Sequence, residues 1–133
     1  MLLAIPLLAI VVVIWNILAF ATGGALAGQL LAFGTPSGAT LALTTGEALV
    51  GLGIVLLYLE ILKSTRTGAA SIVDHIFSMA LFVIVLLELI LVPGFATGAY
   101  ALVMLLTLID VIAGFTVTIS TARRDIGLGN RIG

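Results

Sequence analysis

Four carboxylates interrupt long apolar stretches of this chain: Glu47, Glu60, Glu88 and Asp110. An ionisable group near the centre of a bilayer costs ~2.5–3.5 kcal/mol on insertion scales, so each acid needs a chemical reason to be there. The available chemistries are proton relay, cation binding and hydrogen bonding between helices. Glu47 and Glu88 come out at similar depths, roughly 7–9 Å from the same end of their helices by rise per residue, which makes them candidates for a coupled pair. On one side of that pair, Asp74, Ser78, Leu81, Val85 and Glu88 fall at steps of four and three, a single helical stripe. On the other, Glu47, Gly51, Ile54 and Tyr58 form a comparable stripe. The alternative is that each acid is separately protonated and hydrogen-bonded, with Thr44 and Thr45 as the local partners of Glu47.

Asp110 is the deepest acid, roughly 15–20 Å from either end of its helix, in a stripe with Thr107, Gly114 and Thr121. It is the strongest single candidate for a protonation switch or ion ligand, with Asn16 as a partner from another helix. Its competing role is polar glue between helices, worth ~0.6–2 kcal/mol. Glu60 continues the seven-residue spacing of Gly46 and Gly53 and lies three residues before Lys63. Close packing along the glycine face, with Glu60 reaching Lys63 or Arg66, accounts for it. Asp74 follows Ser71 at capping-box spacing, which places both at the start of a helix. His75, the only histidine, is expected to be solvated at the interface.

Several chemistries are excluded by composition. There are no cysteines, so disulfides, thiolate metal sites and cysteine nucleophiles are absent. One histidine leaves no metal site of ordinary composition and no two-histidine haem ligation within one chain. The pairs Gly23-Gly24, Gly51/Gly53 and Gly127/Gly129 have no strand-to-helix context and no phosphate-gripping lysine, so they read as turns or close packing. No catalytic residue, cofactor or metal is expected, and nothing points to nucleic acid.

The elements that must position these acids follow from hydropathy. The chain has 133 residues, 62% of them hydrophobic and 8% charged, against about a quarter charged in soluble domains. Four apolar runs, 2–21, 41–62, 76–92 and 99–120, approach the ~20 residues that a membrane-crossing helix needs. The expectation is one all-α domain, 1–133, an integral membrane four-helix bundle with a tail at 121–133. Between the first two spans, Thr22–Thr40 is uncharged and bounded by glycines. Its Ala25–Phe33 segment reads as a short interfacial or re-entrant helix. Ala19-Phe20-Ala21 resembles a signal-peptidase site, but no Lys or Arg precedes the apolar run, and the first span is read as retained.

The cations are confined to Lys63, Arg66, Arg123, Arg124 and Arg131. The positive-inside rule then puts both termini in the cytoplasm, in a membrane of the bacterial inner type, with Arg123, Arg124 and Arg131 docking anionic lipid head groups or a partner. Trp15 and Tyr100 suit an outer aromatic belt. Small residues, minimal extramembrane parts and the lack of a reaction centre favour a non-catalytic accessory or scaffold subunit, packed against other membrane chains or copies of itself. A proton- or cation-coupled small transporter or channel using the buried acids is the alternative, and an intramembrane enzyme ranks last.

Overall fold

The computed structural model describes residues 5–23, 25–65 and 69–132. Gly24, Arg66 and Gly68 lie outside the described residues, and the side chains of Ser71 and Arg131 lie outside the described ones. The elements are helix α1 (Leu8–Thr22), a 3-10 turn (Ala25–Ala27), strands β1 (Gln29–Gly34) and β2 (Thr40–Thr44), helices α2 (Thr45–Ser64) and α3 (Ala69–Leu91), a 3-10 turn (Pro93–Phe95), and helix α4 (Gly98–Ile132). α2, α3 and α4 are long and apolar enough to cross a membrane, and α1 is a shorter apolar helix. α4 packs between α2 and α3, and α1 lies against α2. The ends of the bundle differ: one carries the β-hairpin, the other the start of α1 and Lys63 at the end of α2.

Helix boundaries differ from the hydropathy spans in ways that matter for the acids. α2 starts at Thr45, because Leu41–Thr44 belongs to β2. α3 starts at Ala69 rather than beside Asp74, so Ser71 and Asp74 are both inside the helix and the expected capping box does not start it. α4 runs unbroken through the expected tail, 35 residues, or ~52 Å at 1.5 Å per residue, well beyond ~30 Å of hydrocarbon. Gly127 and Gly129 are helical, and a Cβ on either would meet nothing within 4 Å, so they neither turn the chain nor pack closely.

The expected interfacial helix is replaced by a hairpin. Only Ala25–Ala27 makes a helical turn, and β1 pairs antiparallel with β2, with Leu31 opposite Leu43, Ala32 opposite Ala42 and Phe33 opposite Leu41. The register slips between Gln29 and Leu31, leaving Leu30 as the extra residue. The connection closes through Thr35, whose amide donates to the Ala39 carbonyl at 2.8 Å and whose own carbonyl accepts from Gly38 at 2.9 Å. Gly38 takes φ 82°, a conformation that costs a glycine nothing. A short apolar run suits a strand as well as a helix, and here the Pro-Ser-Gly turn decides it. The small sheet makes the class predominantly rather than strictly α-helical.

The core has an aromatic plug at the hairpin end. Trp15 of α1 sits 4.9 Å from Tyr100 of α4 between ring centroids, and Phe95 meets Tyr100 edge-on at 4.8 Å. All three rings are fully buried, so Trp15 and Tyr100 are core residues and not a lipid-facing belt. Such ring pairs contribute about 0.5–1.5 kcal/mol beyond their area. Trp15 reaches α2 because Gly46 lacks a side chain: a Cβ there would lie 3.1 Å from the indole. Gly53, one glycine repeat on, likewise lies under Leu106, Leu8 and Val11. Gly46, Gly53 and Glu60 therefore share the buried face of α2, as their spacing predicts.

Candidate functional site

At the end of α2 the sequence places Glu60 and Lys63 one helical turn apart, and the fold closes α1 and α3 around them. Lys63 Nζ lies 2.5 Å from Glu60 Oε1 and 2.8 Å from Asp74 Oδ1 of α3, and donates to the Ile5 carbonyl at 3.1 Å. The second Glu60 oxygen accepts the Leu7 amide at 2.6 Å. That amide belongs to the first turn of α1, where backbone N–H groups have no intrahelical acceptor, and a carboxylate complements the helix dipole there. Glu60 is 2% exposed, so its charge is held by Lys63 and the α1 terminus instead of by water.

Asp110 joins this cluster from α4. It is 5% exposed, has the Ser78 hydroxyl of α3 as a hydrogen-bonding neighbour, and interacts electrostatically with Glu60, Asp74 and Lys63. The helical steps expected on α3 and α4 follow the buried faces through Asp74, Ser78, Leu81 and Val85 on one and Thr107, Asp110 and Gly114 on the other, while the last member of each stripe, Glu88 and Thr121, is only half-buried. Glu60 and Asp74 thus pair with one ammonium in the bundle interior, and a third carboxylate, Asp110, lies within electrostatic range of all three. In low dielectric that ratio is costly unless a proton or a cation offsets the excess charge. The arrangement can staple four chain segments together, and it can hold an exchangeable proton.

Beside the cluster, His75 is buried, contrary to the expectation of a solvated interfacial ring. Its Nε2 bonds the Thr118 hydroxyl at 2.7 Å and its ring stacks on Phe115 at 4.9 Å. Gly114 makes room, since a Cβ there would come within 2.9 Å of the imidazole.

The other predicted residues go elsewhere. Glu47 is exposed and sits at the third position of α2, where it forms a capping box: its Oε2 accepts the Thr44 amide and hydroxyl, each at 2.8 Å, and the Thr44 hydroxyl accepts the Glu47 amide. Because Leu41–Thr44 is strand, Glu47 lies in the first turn of α2, one turn nearer the helix end than the hydropathy span places it. Glu88 accepts a hydrogen bond from the Tyr100 hydroxyl. Glu47 and Glu88 thus each have a hydrogen-bond partner of their own, as the separate-acid alternative expects, and the stripe Glu47, Gly51, Ile54, Tyr58 is an exposed face of α2. Asn16 donates to the Val12 carbonyl of its own helix at 3.0 Å rather than to Asp110. Arg123 and Arg124 are exposed on the last turns of α4.

Glu60, Lys63, Asp74 and Ser78 are the cluster members that sequence reasoning did not place with Asp110. Their signal was present: Lys63 follows Glu60 by three, and Asp74 and Ser78 share the stripe of α3. Among the described residues no group of three or more His, Cys, Asp or Glu is arranged to hold a metal ion. No protein-family model, curated protein or solved structure matches the chain.

Proposed function

We propose that this chain is a non-catalytic accessory or scaffold subunit of a membrane assembly, joined to other membrane chains or to copies of itself. The observation that carries this is the hairpin. Leu30, Leu31, Phe33 and Leu41 are all about half exposed, and Leu31, Phe33 and Leu41 share one face of the two-stranded sheet. Residues 22–46 contain no charge. An isolated two-stranded hairpin is marginal in water, and apolar surface of this kind marks a contact site. Both strands also have an open edge for pairing with another chain. The buried cluster supports the same role, because Glu60 and Lys63 spend their bonds on tying α1, α2 and α3 together. By the positive-inside rule the Lys63 end and the Arg123-Arg124 turn face the cytoplasm, in an inner-type membrane, with anionic head groups at the arginines and the hairpin outside.

The test is extraction into native lipid discs, followed by mass spectrometry of what co-purifies. Stoichiometric foreign subunits or a defined homo-oligomer are expected with the wild-type chain. Phe33→Asp combined with Leu31→Asp should remove that association while helix content and melting temperature stay as they were. Unchanged association in the double variant would sink the hairpin as the contact.

A second role, proton or monovalent-cation coupling, is favoured by one observation, the three-to-one ratio of carboxylates to Lys63 around Asp110. Asp110→Asn separates the two roles, since Asn keeps both hydrogen-bonding roles but not the exchangeable proton. A scaffold should assemble normally with Asn at this position; a proton-coupled protein should lose proton flux in reconstituted vesicles.

A further inference from the structure

We propose that the cavity at the hairpin end is a binding site for an amphipathic organic cation, an ammonium with apolar substituents. It lies between α1, the base of the hairpin, the start of α2 and the start of α4, with a volume of about 590 Å³, within the ~300–1,000 Å³ of ordinary small-molecule sites. Trp15, Leu26 and Leu102 supply apolar wall, Thr44 and Thr97 bring hydroxyls, and Glu47 brings the one charge of the lining. Glycines create the space. A Cβ at Gly94 or Gly98 would meet nothing within 4 Å, so the volume in front of both is open. At Gly46 the missing side chain lets the indole and Leu26 approach α2 and close the wall.

Charge selects the class of ligand. The Glu47 carboxylate is anchored to Thr44 through one oxygen and is exposed in the cavity lining. Behind the wall, Glu88 is bonded to Tyr100, whose ring lies against Trp15. No Lys or Arg occurs in 22–62 or in 76–122, so these two carboxylates have no cationic partner at this end. An anion would meet uncompensated negative charge, and a neutral ligand would leave the carboxylate unused. A cation with apolar substituents gains from both, its charge from the Glu47 carboxylate and its substituents from the apolar wall. This site is separate from the hairpin surface and from the buried cluster, so it does not depend on the assembly role.

Trp15 is the only tryptophan of the chain and lines the cavity, so its emission reports occupancy directly. The full-length protein in zwitterionic lipid discs is titrated with tetraphenylphosphonium, and with tetraphenylborate as the matched anion. A saturable change in Trp15 emission is expected with the phosphonium and not with the borate. Glu47→Gln should weaken binding at least tenfold; glutamine still serves the capping box, so the helix start survives. Gly98→Leu, which fills the open volume, should abolish the saturable response. Equal responses to cation and anion would mean that the cavity is an apolar lipid pocket and overturn the proposal. So would an unchanged affinity in Glu47→Gln, or a non-saturable response that persists in Gly98→Leu, the signature of partition into lipid alone.

Discussion

The two ends of the bundle solve opposite problems. At the Lys63 end, polar groups are drawn inward and satisfied by one another: Glu60 holds the α1 terminus, Lys63 holds Glu60, Asp74 and the Ile5 carbonyl, and Asp110 closes the cluster from α4. At the hairpin end the interior is an aromatic plug, the carboxylates sit at the periphery, and apolar side chains of β1 and β2 point outward without cover. Sensitivity to the loss of a single partner is thus concentrated where charge is buried, and availability for other molecules where apolar surface is open. A buried ion pair is weak evidence of stabilisation in itself, because desolvation offsets attraction, but removing one partner leaves an uncompensated charge. The ends should therefore respond very differently to substitution.

The largest effect is expected from Lys63→Met. It strips the cation from the buried Glu60 and Asp74 and should cost about 3–5 kcal/mol, read as a large drop in melting temperature in mild detergent. Adding Glu60→Gln and Asp74→Asn to Lys63→Met should recover much of that loss. If the triple variant is as unstable as the single one, the cluster is not the electrostatic staple described above.

Next is Gly114→Ala. The added methyl would meet the imidazole of His75, which its Thr118 bond and Phe115 stacking keep from yielding. Overpacking of this kind costs about 1–3 kcal/mol. By contrast, the one close approach for Gly53→Ala is the tip of Leu106 at 2.7 Å, a flexible group that can move, with Leu8 and Val11 at ordinary contact distance, so it should be milder. Equal losses for the two glycines, measured by the same melting assay, would contradict the rigid placement of His75.

The smallest effect belongs to the hairpin end. Thr44→Ala removes the capping box of α2 and should cost about 1 kcal/mol, most visible as faster amide exchange in the first turn of α2. A loss as large as that of Lys63→Met would erase the contrast between the ends.

How far these features were legible depended on whether they belong to one helix or to several. The buried faces of α3 and α4 could be read from spacing alone, because Asp74, Ser78, Leu81 and Val85 or Thr107, Asp110 and Gly114 repeat with the helical period. The glycine face of α2 was legible for the same reason. The stripe through Glu47 was not, since a polar residue in the first helical turn is explained by capping and says nothing about the buried side. Ala25–Phe33 failed as a helix because an apolar run of that length has no decisive period, and strand pairing with Thr40–Thr44 is a nonlocal event.

By itself, then, the sequence determined the long apolar helices, the confinement of positive charge to two segments, and the side of α3 and α4 on which each acid lies, all of which follow from hydropathy and a period of 3.6. Only the tertiary structure decided which acids meet. Period sets a residue's direction on its own helix and is silent about which helix stands opposite. Placing α4 between α2 and α3 brought Asp110 to Ser78, within range of the Glu60–Lys63–Asp74 charges, and left Glu47 and Glu88 with Thr44 and Tyr100.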